Sequence, residues 1–389
     1  MIQLTYMIGN GFDLHLGLKT SYRDFYKYLK KPEQEEKIKG NEIIASILGI
    51  PTSTKAISVD KNLKVNPYET NEWSDLEAGI KKYLFKLAEQ HANVDKINIT
   101  MQNFHSVSRL LNEYLKSQNS SINLDFQSGL STQGLLYPFE YLNKYAPDRL
   151  IRILNGIRAE NNRISNHSVQ ANMSFIDFNY TDTLEKYTKN LSLINYSRIR
   201  QLTYNGQLMS VNKEVLYPNG KFGETIILGV GTKAELPDNL NLNKYQKQYL
   251  SKLEYAEGRD DGRVKAIFDR LDHSDVIIIY GMSIGESDAT YFSHAIEAIK
   301  NNPNKSIIVV DYDDTFDIDD RSYNFLEERE AYKNKLLSCY EMVHKNKNVL
   351  DESTENKIRD RIFVEFDKSS SDYFPYSTKE AVPSSINSK

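Results

Sequence analysis

The chain has 389 residues, 40% hydrophobic and 26% charged, with 53 acidic against 49 basic side chains and a formal net charge of -4. These are globular proportions, and the slight acidity excludes a dominant basic face of the kind that binds nucleic acid. One cysteine, Cys339, excludes an internal disulfide and a cysteine-based metal cage, and no run reaches the roughly 18 apolar residues of a membrane span.

In chain order, residues 2–25 are the most informative stretch. An apolar strand runs into the glycine-bounded turn Gly9-Asn10-Gly11, followed by a segment that opens with Asp13. Two glycines in such a βα turn let backbone approach a ligand, and they aim free N–H groups at anionic oxygens. The match to the dinucleotide fingerprint G-x-G-x-x-G is partial, because the third glycine falls at Gly17 and Asp13 stands where a small residue is expected. A tight strand-to-helix turn with Asp13 as N-cap accounts for the same residues. Residues 21–31 then read as a helix, with Tyr22, Phe25, Tyr26 and Leu29 on one face. Residues 32–71 turn polar and irregular, as an exposed excursion would. Helical spacing returns over 73–89, 105–116 and 131–145, so 71–165 is α-rich.

Strand signals follow at 173–178 (MSFIDF), 198–204 (RIRQLTY), 225–230 (TIILGV), 275–280 (DVIIIY) and 306–311 (SIIVVD), with helices expected over 183–190, 244–271 and 288–300. Several strands are apolar without interruption, as interior strands of a parallel sheet covered on both faces must be. Alternating strands and helices predict an α/β fold, a doubly wound, mostly parallel, Rossmann-like sheet with a large helical insertion. The expected division is a sheet domain over 1–31 and 166–346, a helical insertion over 32–165, and an extension over 347–389. That extension holds an edge strand, RIFVEF (361–366), and a Ser-rich tail from 369 that is expected to be disordered.

In such sheets ligands sit beyond the carboxyl ends of the strands, and three polar or glycine-containing clusters occupy that place. The first is Gly9-Asn10-Gly11. The second is Asn179 to Asp182, where the Asn179 amide suits a ribose hydroxyl or a positioned water; Asp182 sits where it could cap the following helix. The third is Gly281, Ser283, Ser287 and Asp288. There Gly281 allows close approach, the serines offer hydroxyls, and Asp288 either caps the next helix or takes a ribose hydroxyl.

The segments IGNGFDLHLGLKTSYRDF, WSDLE (73–77), FNYTDTLE (178–185) and YGMSIGESDATYF (280–292) together resemble the bacteriophage abortive-infection AbiH family, whose fold is similar to that of sirtuin-like NAD-processing proteins. The resemblance implies NAD, as substrate or ligand, held by Gly9, Asn10, Gly11, Asp13, Thr20, Tyr22, Gly281, Ser283, Ser287 and Asp288. It implies catalytic roles for Asn179 and Asp182 and, where relatives carry a His-Gly pair, for Asn205. Asn205 can orient a water but cannot take up a proton, which disfavours deacetylation and leaves glycosidic cleavage of NAD, because nicotinamide departs as a neutral group. His15 lies in the first motif and serves either the ligand or packing.

The expectation is therefore a cytoplasmic antiphage protein that hydrolyses a nucleotide on a phage-derived trigger, with no metal and no membrane partner and with self-association left open. One alternative is a catalytically silent nucleotide-binding sensor or scaffold. Another is a metal-dependent nuclease built on Asp311, Asp313, Asp314, Asp317, Asp319 and Asp320.

Overall fold

Six segments form one open, all-parallel sheet: β1 (Ile2–Ile8), β2 (Ala171–Asp177), β3 (Met209–Leu216), β4 (Val276–Tyr280), β5 (Ser306–Tyr312) and β6 (Ile362–Asp367). The computed structural model describes residues 2–50, 75–119, 124–125, 135, 141–144, 147–148, 150–151, 171–191, 209–312, 323–345, 350–367, 374 and 377–378. The strand order is β3-β2-β1-β4-β5-β6. The chain builds outward from β1 first in one direction and then in the other, so the strand order reverses between β1 and β4. Register sets the level at which the strands end: Ile8 lies opposite Asp177 on one side and Tyr280 on the other. The turns after β1, β2 and β4 therefore leave the sheet side by side.

The helices that accompany the strands are α1 (Gly11–His15), α2 (Tyr22–Leu29), α3 (Glu42–Ile47), α4 (Asp75–Glu89), α5 (Val94–Asn119), α6 (Thr183–Leu191), α7 (Lys252–Gly258), α8 (Arg263–His273), α9 (Ala289–Asn301), α10 (Tyr323–Val343) and α11 (Glu352–Arg359). Side chains alternate along a strand, so a strand buried on both faces must be apolar at every position. β4 obeys this. Val276, Ile278 and Tyr280 pack with Leu4, Tyr6, Phe12, Phe175 and Tyr187 on one face, while Ile277 and Ile279 pack with Ile267, Phe292, Ile296, Leu336 and Ile358 on the other. Each such aliphatic side chain contributes about 1.5–3 kcal/mol when fully buried. A separate apolar cluster joins α2, α3, α4 and α5 to residues of the segment 226–250.

Several expectations need correction. TIILGV is not a strand. Ile226, Leu228 and Val230 bury in the helical cluster, and the segment makes only an isolated bridge from Val230 to Ser251. The third strand is Met209–Leu216 instead, and RIRQLTY and Trp73 lie outside the described residues. The helix expected over 244–271 is three helices, Lys244–Tyr249, α7 and α8, the last preceded by Gly262 at φ +70°.

The polar excursion is, as far as residue 50, short helices whose Ile38, Ile43 and Ile44 are buried; residues 51–71 are outside the described set. Of the tail expected to be disordered, Phe374 is fully buried among Tyr6, Phe12, Tyr187 and Tyr280. The edge strand expected at 361–366 is β6, at one end of the sheet. Among the described residues no helix is long and apolar enough to cross a membrane.

Candidate functional site

Where β1 and β4 end, their turns pack backbone to backbone. Gly9 N–H donates to the Tyr280 carbonyl (2.9 Å) and Gly11 N–H to the Gly281 carbonyl (2.8 Å). A Cβ at Gly9 would lie 2.5 Å from the Gly281 oxygen, and one at Gly11 would lie 2.6 Å from the Gly281 Cα. Gly281 itself sits at φ +59°, which side chains rarely tolerate. The glycines thus hold two turns together, and the Gly9 and Gly11 amides expected to face a ligand are already used inside the protein. Gly17, at φ +81°, ends α1: its N–H reaches the Leu14 carbonyl (2.9 Å) while Leu18 N–H reaches Asp13 (3.0 Å), a Schellman stop.

The β2 turn joins this pair through one side chain: Asn179 Nδ2 donates to the Gly9 carbonyl at 3.0 Å. Asn10 accepts from the Thr20 hydroxyl at 2.5 Å. Asp13 is not an N-cap, a place that Asn10 takes. It lies within α1, 1% exposed, and Thr181 Oγ1 donates to its Oδ2 at 2.7 Å. Burial pushes its carboxyl up to about 7, against the Thr181 and Thr183 hydroxyls, which lower it. Asp177, fully buried beneath it, is pushed well above the carboxylate range by burial and then by the charge of Asp13.

Two cavities open around these turns. The smaller, about 100 Å³, is lined by Gly9, Asn10, Asp13, Thr20, Tyr22, Asn179, Gly281, Ser283, Ser287 and Asp288. The larger, about 910 Å³, lies towards β5. It shares Glu77, Gly281, Ser283 and Ser287 with the first and adds Gly11, His15, Asp311, Tyr332 and Lys335. The structure thus brings together all the expected residues except two. Asp182 lines neither cavity and pairs with Lys186 at 2.8 Å, and Asn205 lies outside the described residues. His15 Nε2 sits 3.2 Å from the Phe374 carbonyl.

Sequence reading missed an ion triad at the boundary between the cavities. Lys252 of α7, 3% exposed, places Nζ 3.0 Å from Glu77 of α4 and 2.8 Å from Asp288. Burial alone would lower the Lys252 ammonium, but Asp288 and Glu77 outweigh it and hold the group protonated above its ordinary range. Asp288 stands at the N-cap position of α9 without capping it, because its carboxylate goes to Lys252.

Asn219 was missed as well; it lines the smaller cavity, and its Nδ2 donates to the Phe178 carbonyl at 3.3 Å. Acids around the larger cavity are likewise compensated. Lys81 meets Glu235 (3.1 Å) and Glu286 (2.7 Å), and the Tyr332 hydroxyl donates to Asp311. Among the described residues no group of three or more His, Cys, Asp or Glu is arranged to hold a metal ion; residues 313–320 lie outside that set.

The arrangement offers amide, hydroxyl and carboxylate groups at one end and a roomier, charge-compensated hollow at the other. That suits an elongated polar ligand better than a compact apolar one. A family model described as bacteriophage abortive infection AbiH matches residues 5–312. No curated protein matches the chain.

Proposed function

The chain belongs to the bacteriophage abortive infection AbiH family, and from that premise we propose that it binds NAD or a related nucleotide across the two cavities and hydrolyses it, arresting the infected cell. One observation carries this reading: Gly9, Asn179 and Ser283, each following a different strand, line one hollow. That hollow lies where the strand order reverses between β1 and β4, the place where open α/β sheets take dinucleotides.

The smaller cavity suits the reacting ribose. Departure of nicotinamide leaves positive charge on the sugar ring, and fixed dipoles and a carboxylate nearby stabilise such a state without reorganising. Asn179 is held by Gly9 through its amide nitrogen, which leaves its side-chain oxygen to face the ribose. The larger cavity suits the adenosine and its phosphates. Lys335, whose ammonium lies 4.6 Å over the Tyr332 ring, is the cation there for the phosphates. No role in this reading requires a metal.

Incubating the purified chain with NAD, with and without extract of phage-infected cells, tests the proposal. Nicotinamide release by the wild type and none by Asn179→Ala is expected. Binding of ADP-ribose with no release under any condition would instead favour a nucleotide sensor. Absence of both binding and release would remove the nucleotide reading.

A further inference from the structure

We propose that Asp13 is the proton acceptor of the hydrolytic step, taking a proton from the water that attacks the ribose C1′ carbon. The inference rests on the nucleotide-hydrolysis reading above and supplies the base that Asn205 cannot be.

The geometry is that of a buried, acceptor-rich floor. Asp13 and Asn219 line the same small cavity as Asn179, and Asp177 ends the adjoining strand. Asp13 Oδ2 takes the Thr181 hydroxyl, while Asp13 Oδ1, Asp177 Oδ2 and Asn219 Oδ1 are buried with no hydrogen-bond partner among the described residues. Buried acceptors are nearly always matched by donors. Two of these belong to residues that line one cavity, Asp13 and Asn219, and point to a small donor-rich ligand there; a water aligned on the ribose face is the smallest that serves. Thr181 fixes the Asp13 carboxyl through one oxygen and leaves the other for that water. Asp177 Oδ1, in turn, is held by the Asn179 backbone N–H at 3.0 Å, so the floor and Asn179 move as one piece.

The step balances as follows. The C1′–N bond breaks with its electron pair on nicotinamide, which leaves neutral. The water oxygen bonds to C1′, and its proton passes to Asp13 and then to solvent.

Titration agrees with the role. An acceptor works best when its pKa lies near the working pH, and Asp13 is raised to about 7 by burial. The groups facing it are the Thr181 and Thr183 hydroxyls, Asp182, whose charge raises it, Lys186, which lowers it, and Asp177 and Tyr217 from β2 and the turn after β3. Asp177 is raised as well, by burial and then by the charge of Asp13, so the two carboxyls titrate as a pair.

The test compares the full-length wild type with Asp13→Asn, which keeps the shape and can still accept from Thr181. Nicotinamide release is measured against pH, with ADP-ribose binding measured on the same samples. The expected wild-type rate rises with pH through one ionisation near 7. Asp13→Asn is expected to lose at least about 100-fold in rate, with binding intact and the pH limb gone. A variant that keeps most of the wild-type rate overturns the inference and leaves the hydrolase reading standing. Should Asp13→Asn fail to fold, the wild-type profile decides, and a rate that ignores pH through the neutral range overturns the assignment. A wild type that releases no nicotinamide removes the reading and the inference together.

Discussion

Replacing Lys252 by methionine is expected to destabilise the protein by about 3–5 kcal/mol. The ammonium is 3% exposed and stands 3.0 Å from Glu77 and 2.8 Å from Asp288. At an effective dielectric near 20, one unit charge at ~3 Å contributes about 5 kcal/mol before desolvation. Dehydrating three ions offsets most of the two contacts, so the intact triad adds little net stability. Removing the cation alone is different, because it leaves two largely buried carboxylates near each other without a partner.

Urea unfolding followed by circular dichroism reads this loss, at neutral and at mildly acidic pH. The deficit should shrink on acidification, because Glu77, whose carboxyl burial already raises, takes up a proton and removes uncompensated charge. The neutral triple replacement Glu77→Gln, Lys252→Met, Asp288→Asn should recover most of it. A loss below about 1 kcal/mol, the range of exposed ion pairs, would refute the view that Lys252 is held as a buried cation between α4, α7 and the start of α9.

Three other outcomes follow from the same packing. The folded-state carboxyl of Asp13 is raised to about 7 from 3.8, so the folded chain binds the extra proton between those values and stability falls as pH rises through them. Asp13→Asn lacks this dependence and should gain about 4 kcal/mol on the wild type across that window; a pH-independent difference in urea midpoints contradicts it. Gly11→Ala, with its Cβ 2.6 Å from the Gly281 backbone, should cost about 1–3 kcal/mol and weaken nucleotide binding. Unchanged melting and binding would show that the two turns separate freely. Phe374→Ala should cost about 3–5 kcal/mol, because the ring closes a box of four aromatic side chains, and a neutral result in thermal melting would place that segment off the sheet.

Much of the sheet was legible because burial on both faces leaves a plain mark. β4 and β5 are uninterrupted aliphatic runs that end at glycine or acidic residues, and the site clusters follow those ends. β3 escaped because it is an edge strand in which exposed Glu214 and half-buried Asn212 break the apolar run. TIILGV misled for the opposite reason. Its apolar residues serve a helical cluster without a strand partner, and composition alone does not tell the two apart.

The triad was illegible because Lys252 meets partners 175 and 36 positions away, and nothing local distinguishes it from a solvated lysine. The Gly9 and Gly11 amides were misjudged because a glycine turn reads the same whether its donors face a ligand or another turn. Asp13 is accommodated where a small residue was expected because Thr181, which follows a different strand, donates to its carboxyl.

The most direct measurement is a crystal structure of the wild-type chain with ADP-ribose. The account predicts one molecule spanning both cavities, its terminal ribose beside Asn179 and Asp13 and its adenosine end towards Tyr332. A ligand bound elsewhere, or cavities still empty at saturating ADP-ribose, would contradict it.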